Sequence, residues 1–220
     1  MSKFWMVLIA ALSLAACGDN DVGPRDDGLP DAPGGPSVHI LALGDSLFAG
    51  YQLAQSEAFP AQLEAGLRAR GINAVVRNAG VSGDTTAAGL QRVDFVLDSM
   101  SNKPDLALIE LGANDMLRGL PPEQARANLD AIMAKFKRRD IPMVLMGMRA
   151  APNLGRDYAR EFDTIFPDLA EKYNAELVPF FIQPLMFDRS LVQRDQVHPT
   201  ADGVTAMVGE SIDTIENAID

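Results

Sequence analysis

Ser46 sits in the stretch ALGDSLFAGYQL, residues 42 to 53, directly behind a short apolar run and ahead of a helix-like one. Gly, Asp and Ser dominate turns, so a serine here can be a plain turn residue. It becomes a nucleophile only if a base lies within hydrogen-bond reach, most often a histidine oriented by a carboxylate. The chain has two histidines. His39 falls inside the apolar run and reads as a core or edge imidazole. His198 falls in the polar stretch RDQVHPTADG, with Asp195 three residues before it. One turn can bring that carboxylate against the imidazole, fixing its tautomer and stabilising the imidazolium that forms when a serine gives up its proton. The same residues also fit a helix start at Pro199-Thr200.

Elements able to bring residues 46 and 198 together follow from the apolar pattern. Short β-rich runs at 38 to 43, 73 to 79, 105 to 111, 142 to 147 and 175 to 180 alternate with helix-like stretches near 57 to 70, 83 to 101, 122 to 139, 155 to 173 and 201 to 218. Pro121 and Pro122 suit a helix start and Gly71 a helix stop. Nearly all-apolar strands separated by helices predict an α/β fold, a three-layer sandwich whose five-stranded parallel sheet is covered on both faces. In such open sheets reactive groups gather at the carboxyl ends of the strands. Three glycine-bearing polar loops fall there: Gly44-Asp45-Ser46, Asn78 to Asp84, and Gly112-Ala113-Asn114-Asp115.

In order along the chain, GDSLFAGY, NAGVSGDTT, GANDMLRGLPP and DQVHP resemble the blocks of the GDSL or SGNH hydrolase family, closest to its thioesterase I, lysophospholipase L1 and arylesterase branch. The likeness runs from about Val38 to the C-terminus and implies a flavodoxin-like sheet. It further implies Ser46 as nucleophile, Asp195 and His198 as its partners, and an oxyanion hole made by the Ser46 and Gly80 N–H groups with the Asn114 side chain. The chemistry agrees: charge builds on the carbonyl oxygen in acyl transfer, and an asparagine amide offers a neutral donor where an aspartate would repel. A glycine lets the backbone approach a ligand closely. The family further implies that the loop with Met146, Met148, Pro152 and Leu154 lines an acyl pocket, although methionines also fill core gaps.

Other assignments are weaker on chemistry. Ser82 in GVSGD nearly matches the G-x-S-x-G elbow, but Asp84 stands where that motif needs glycine. Asp45 and Asp115 are expected to hold loop N–H groups. Glu110, ending an apolar strand, must be paired if buried, and is expected to anchor the loops. Two histidines and one cysteine compose no metal ligand set, and the reaction needs no cofactor.

Composition sets the remaining bounds. A chain of 220 residues, 47% apolar, supports one core and one domain, expected over 38 to 220. A net charge of −11, with a basic cluster only in KFKRRD, argues against a nucleic-acid partner. Residues 1 to 16 carry Lys3 and an apolar run too short to span a bilayer, the pattern of a signal peptide. Leu14-Ala15-Ala16-Cys17 resembles the bacterial lipoprotein box, which implies lipidation at Cys17. Residues 18 to 37, rich in Gly, Pro and Asp, read as a flexible linker, so 17 to 37 would tether the domain. The expectation is a serine esterase acting on small acyl or aryl esters, thioesters or lysophospholipids, lipid-anchored in the bacterial cell envelope and facing the periplasm, with Gly18 favouring the outer membrane. A carbohydrate O-acetylesterase and a non-catalytic surface lipoprotein are the alternatives.

Overall fold

The structure, a computed structural model, describes residues 31 to 219; the signal segment, Cys17 and most of the linker lie outside the described residues. Five strands form one wholly parallel sheet: β1 (Val38–Gly44), β2 (Ala74–Gly80), β3 (Leu106–Glu110), β4 (Met143–Met146) and β5 (Glu176–Val178), in the order β2-β1-β3-β4-β5. The central strands are apolar because both faces are covered; β3 and β4 are buried along their whole length. β2 stands at an edge and carries Arg77 and Asn78 on a largely exposed ribbon.

Among the described residues eight α-helices surround the sheet: α1 (Ser46–Ala49), α2 (Phe59–Ala69), α3 (Thr86–Asp98), α4 (Ala113–Leu117), α5 (Pro122–Lys137), α6 (Arg156–Asp163), α7 (Ile165–Tyr173) and α8 (Ala201–Asn217). α2 packs with α8, while α3, α5 and α7 pack in succession. This is the two-faced cover that right-handed crossovers give this strand order. Sequence signals mark several ends: Pro122 opens α5, Thr85 caps α3 by accepting from the Ala88 N–H, and Thr200 caps α8 by accepting from the Gly203 N–H.

Two differences from the sequence reading have physical causes. The helix expected over 155 to 173 is two helices, because Pro167 lacks the N–H that would bond to the Asp163 carbonyl, and α6 ends at Asp163. α1 and α4 are single-turn helices inside stretches that read as loops, too short for periodicity to reveal.

Strand order reverses between β1 and β3, which is where doubly wound sheets open a crevice at their carboxyl ends. Gly44 pairs with Gly80 on one side and with Glu110 on the other, so the three polar loops leave the sheet side by side. Behind them Phe48 of α1 stacks on Phe59 at 5.1 Å, and Phe181 meets Phe59 edge-on at 4.9 Å. This wholly buried trio fixes the turn that carries Ser46.

Candidate active site

β1 ends at Gly44, and Asp45 caps α1 by accepting from the Leu47 N–H at 3.0 Å, which puts Ser46 at the first position of the helix. Ser46 is 9% exposed. Its Oγ lies 2.9 Å from His198 Nε2 and 3.5 Å from Asp45 Oδ1, so the shorter contact takes the hydroxyl proton. His198 Nδ1 in turn donates to Asp195 Oδ2 at 2.6 Å. Ser46 and a histidine 152 positions further along thus form one hydrogen-bonded line with Asp195.

The loop bearing His198 is pinned from several directions. Gln193 N–H donates to the His198 carbonyl and Thr200 N–H to the Leu191 carbonyl, closing a short antiparallel bridge between Val192 and Pro199. Asp195 Oδ1 accepts the N–H groups of Val197 at 2.9 Å and His198 at 3.0 Å. The His198 side chain and these two backbone donors hold the Asp195 carboxyl well down, at about 2. It is therefore ionised wherever the imidazole can act as a base. Gln193 Nε2 donates to the Tyr51 carbonyl and the Pro199 carbonyl, and the Tyr51 ring lies 4.3 Å from the imidazole. Sequence reasoning missed Gln193 and Tyr51, although Tyr51 closes the block GDSLFAGY and Gln193 directly precedes RDQVHPTADG.

The donor set differs in part from expectation. Asn114, in the first turn of α4, donates from Nδ2 to Asp45 Oδ2 at 2.9 Å, which leaves its second amide hydrogen for another acceptor. The Gly80 N–H, expected to face the oxyanion, instead donates to Asn78 Oδ1 at 2.8 Å, while Asn78 Nδ2 donates to the Phe48 carbonyl. A Cβ at position 80 would strike the backbone of Ala49 and Asp45. Glycine is needed there for close packing of β2 against α1, which corrects the role expected of it. Three residues on, Gly83 has φ +85° at the third position of a turn closed by Asp84 N–H to the Val81 carbonyl. Arg118 Nη2 grips its carbonyl at 2.7 Å. Its own N–H has no protein partner among the described residues.

Other candidates resolve plainly. His39 sits at the opposite end of β1, its Nε2 3.1 Å from Ser37 Oγ. Ser82 is exposed, and His198 is bonded to Ser46 instead. Asp115 accepts from Thr86 N–H at 2.8 Å and Thr86 Oγ at 2.6 Å, tying α4 to α3. Glu110 is wholly buried and accepts the Asp45 N–H at 3.0 Å, the loop anchor expected of it. Met146 and Met148 are core residues, so the expectation that they line an acyl pocket is not met; Leu154 is half-buried. Among the described residues no group of three or more His, Cys, Asp or Glu is placed to hold a metal ion.

Comparison with known proteins agrees with this architecture. Residues 42 to 206 match the GDSL-like Lipase/Acylhydrolase family. An arylesterase of Vibrio mimicus is 40% identical over 163 residues, covering 74% of this chain and 80% of that protein. Thioesterase 1/protease 1/lysophospholipase L1 of Escherichia coli K12 is 37% identical over the same length, covering 74% and 76%. The crystal structure of AlinE4, an SGNH-hydrolase family esterase, superposes with a TM-score of 0.72 at 58% identity, covering 84% of this chain and 98% of that one. With a serine-bearing turn, a histidine loop and an asparagine helix meeting at one sheet edge, the chain belongs to the GDSL-like lipase/acylhydrolase family, as an ester-hydrolysing enzyme of the SGNH type.

Proposed function

We propose that this chain hydrolyses carboxylic esters or thioesters through an acyl-enzyme on Ser46, with His198 as general base and Asp195 orienting it. The observation that carries the reading is the line of contacts from Ser46 Oγ to His198 at 2.9 Å and on to Asp195 at 2.6 Å. Ser46 Oγ attacks the acyl carbonyl as its proton passes to His198 Nε2. The imidazolium gives that proton to the departing alcohol or thiol, and a water activated by the same base then releases the acid. Charge developing on the carbonyl oxygen is met by the Ser46 N–H, the free amide hydrogen of Asn114 and the Gly83 N–H, which takes the place first given to Gly80. Small acyl or aryl esters, acyl thioesters and lysophospholipids are the substrate classes, in keeping with the names of the relatives.

The test is a substrate profile of purified protein on p-nitrophenyl esters of rising chain length, an acyl-CoA, a lysophospholipid and an acetylated sugar. Cleavage of a short aryl ester is expected, with Ser46→Ala lowering kcat by about a millionfold. Activity confined to the acetylated sugar would transfer the reading to a carbohydrate O-acetylesterase. No turnover of any ester, or turnover that survives Ser46→Ala, would overturn it.

We further propose that Cys17 is the lipidated N-terminus of the mature protein and that residues 17 to 37 tether the enzyme to the envelope membrane, facing the periplasm. Support comes from the sequence alone: the apolar run, the box ending in cysteine and the polar linker.

A further inference from the structure

One buried ionisable group has no part in the proton transfers above. Glu110, the last residue of β3, is 0% exposed; its Oε2 accepts the Asp45 N–H, and its Oε1 receives no donor. The Glu110 and Asp45 side-chain carboxyls lie within hydrogen-bonding reach of each other. With both ionised, that contact would set acceptor against acceptor in a site closed to water. Among the described residues neither carboxyl has a cation as ion-pair partner. Arg92 of α3 is committed to Asp84 Oδ2 at 2.6 Å and to the Gly44 carbonyl at 2.9 Å. His198 is bonded to Ser46 and Asp195, and Asp115 of α4 adds a further carboxyl to this end of the sheet. Retaining one proton between the two carboxyls relieves the conflict at less cost than burying two charges.

Hydrogen bonding decides which partner keeps it. Burial pushes the Asp45 carboxyl up as well, but Asp45 accepts from the Leu47 N–H at 3.0 Å and from Asn114 Nδ2 at 2.9 Å, both of which favour its charged form. Glu110 accepts only the Asp45 N–H. Burial, and after it the neighbouring Asp45 charge, pushes the Glu110 carboxyl well above the usual range.

Given the roles proposed above for Ser46 and Asn114, we propose that Glu110 is a neutral carboxylic acid that donates its proton to the Asp45 carboxylate, so that this buried pair positions both the nucleophile turn and the oxyanion amide. Asp45 then holds three things at once: the first turn of α1, the Asn114 side chain and the end of β3. Gly44 and Glu110 are register partners, so the pair rivets β1 to β3 where the strand order reverses. Glu110 is a positioning residue, acting through Asp45 without touching the substrate.

Two substitutions and one spectrum test this. Glu110→Gln keeps a donor for the Asp45 carboxylate and an acceptor for the Asp45 N–H; Glu110→Leu removes both. On a short-chain p-nitrophenyl ester, Glu110→Leu is expected to lower kcat about 100-fold with little change in KM, the scale of a small misplacement of reacting groups, and Glu110→Gln to restore most of it. Infrared difference spectra of the full chain at neutral pH should show a protonated-carboxyl C=O band that Glu110→Gln lacks. Equal impairment in both variants, or absence of the band, would overturn the proposal. The band is read without activity, so it decides the matter even if Glu110→Leu does not fold. It also separates this proposal from a wild type that cleaves no ester, an outcome that would sink the functional reading alone.

Discussion

At the scale of single residues, the site depends on which hydrogen bonds are already committed. Asn114 has one amide hydrogen on Asp45 and one to offer; Asn114→Ala should cost about 2.7 to 4 kcal/mol of transition-state stabilisation, read as a fall in kcat, and should also lower the unfolding midpoint because the buried Asp45 carboxylate loses a donor. The two loop glycines separate by readout. Gly80→Ala drives a methyl into the α1 backbone and should lower thermal stability strongly. Gly83→Ala meets no close backbone and costs about 1 to 2 kcal/mol for its left-handed φ, so its larger effect should fall on kcat. The pH dependence of stability follows from Asp195. Its folded-state value, about 2, lies below the ordinary 3.8, so the unfolded chain takes up a proton first as pH falls. Its contribution is present above the ordinary value and is lost as pH drops through about 2. The stability gap between wild type and Asp195→Asn, measured by denaturant titration, should therefore be full at about pH 5 and shrink on acidification. The contact of Ser46 with His198 and Asp195 could be expected because D-x-x-H and the serine turn are local patterns. The Gly80 role could not, because a glycine needed for packing and a glycine needed as a donor look alike until the register of β1 with β2 is known.

At the scale of elements, the site is a matter of how one short helix and one loop are fastened. α1 has only four residues and too few internal bonds to stand alone; Phe48 inserted against Phe59 and Phe181 supplies what it lacks. Phe48→Ala should cost about 3 to 5 kcal/mol in chemical denaturation, with kcat falling as the turn loosens. Gln193 joins the far end of the same segment to the histidine loop through the Tyr51 carbonyl. Strand positions were legible because parallel strands buried on both faces are nearly continuous apolar runs, and β1 and β3 begin and end within a residue of expectation. The α6–α7 break carried a signal in Pro167. α1 and α4 carried none, since single turns show no period.

At the scale of the whole molecule, one sheet reversal decides where everything meets, and alternating strands and helices were enough to place the polar loops at the carboxyl edge. The proposed tether is a separate matter, carried by residues 1 to 37. Cys17→Ser should move the protein from the membrane to the soluble fraction on cell fractionation while esterase activity persists; retention in the membrane would contradict lipidation at that residue. The central claim, that the residue 46 hydroxyl is the group the imidazole at 198 activates, is tested most directly by labelling with a fluorophosphonate followed by peptide mapping. A single adduct on Ser46 is expected, formed far more slowly in His198→Ala. An adduct on Ser82 or any other serine, or undiminished labelling without His198, would contradict it.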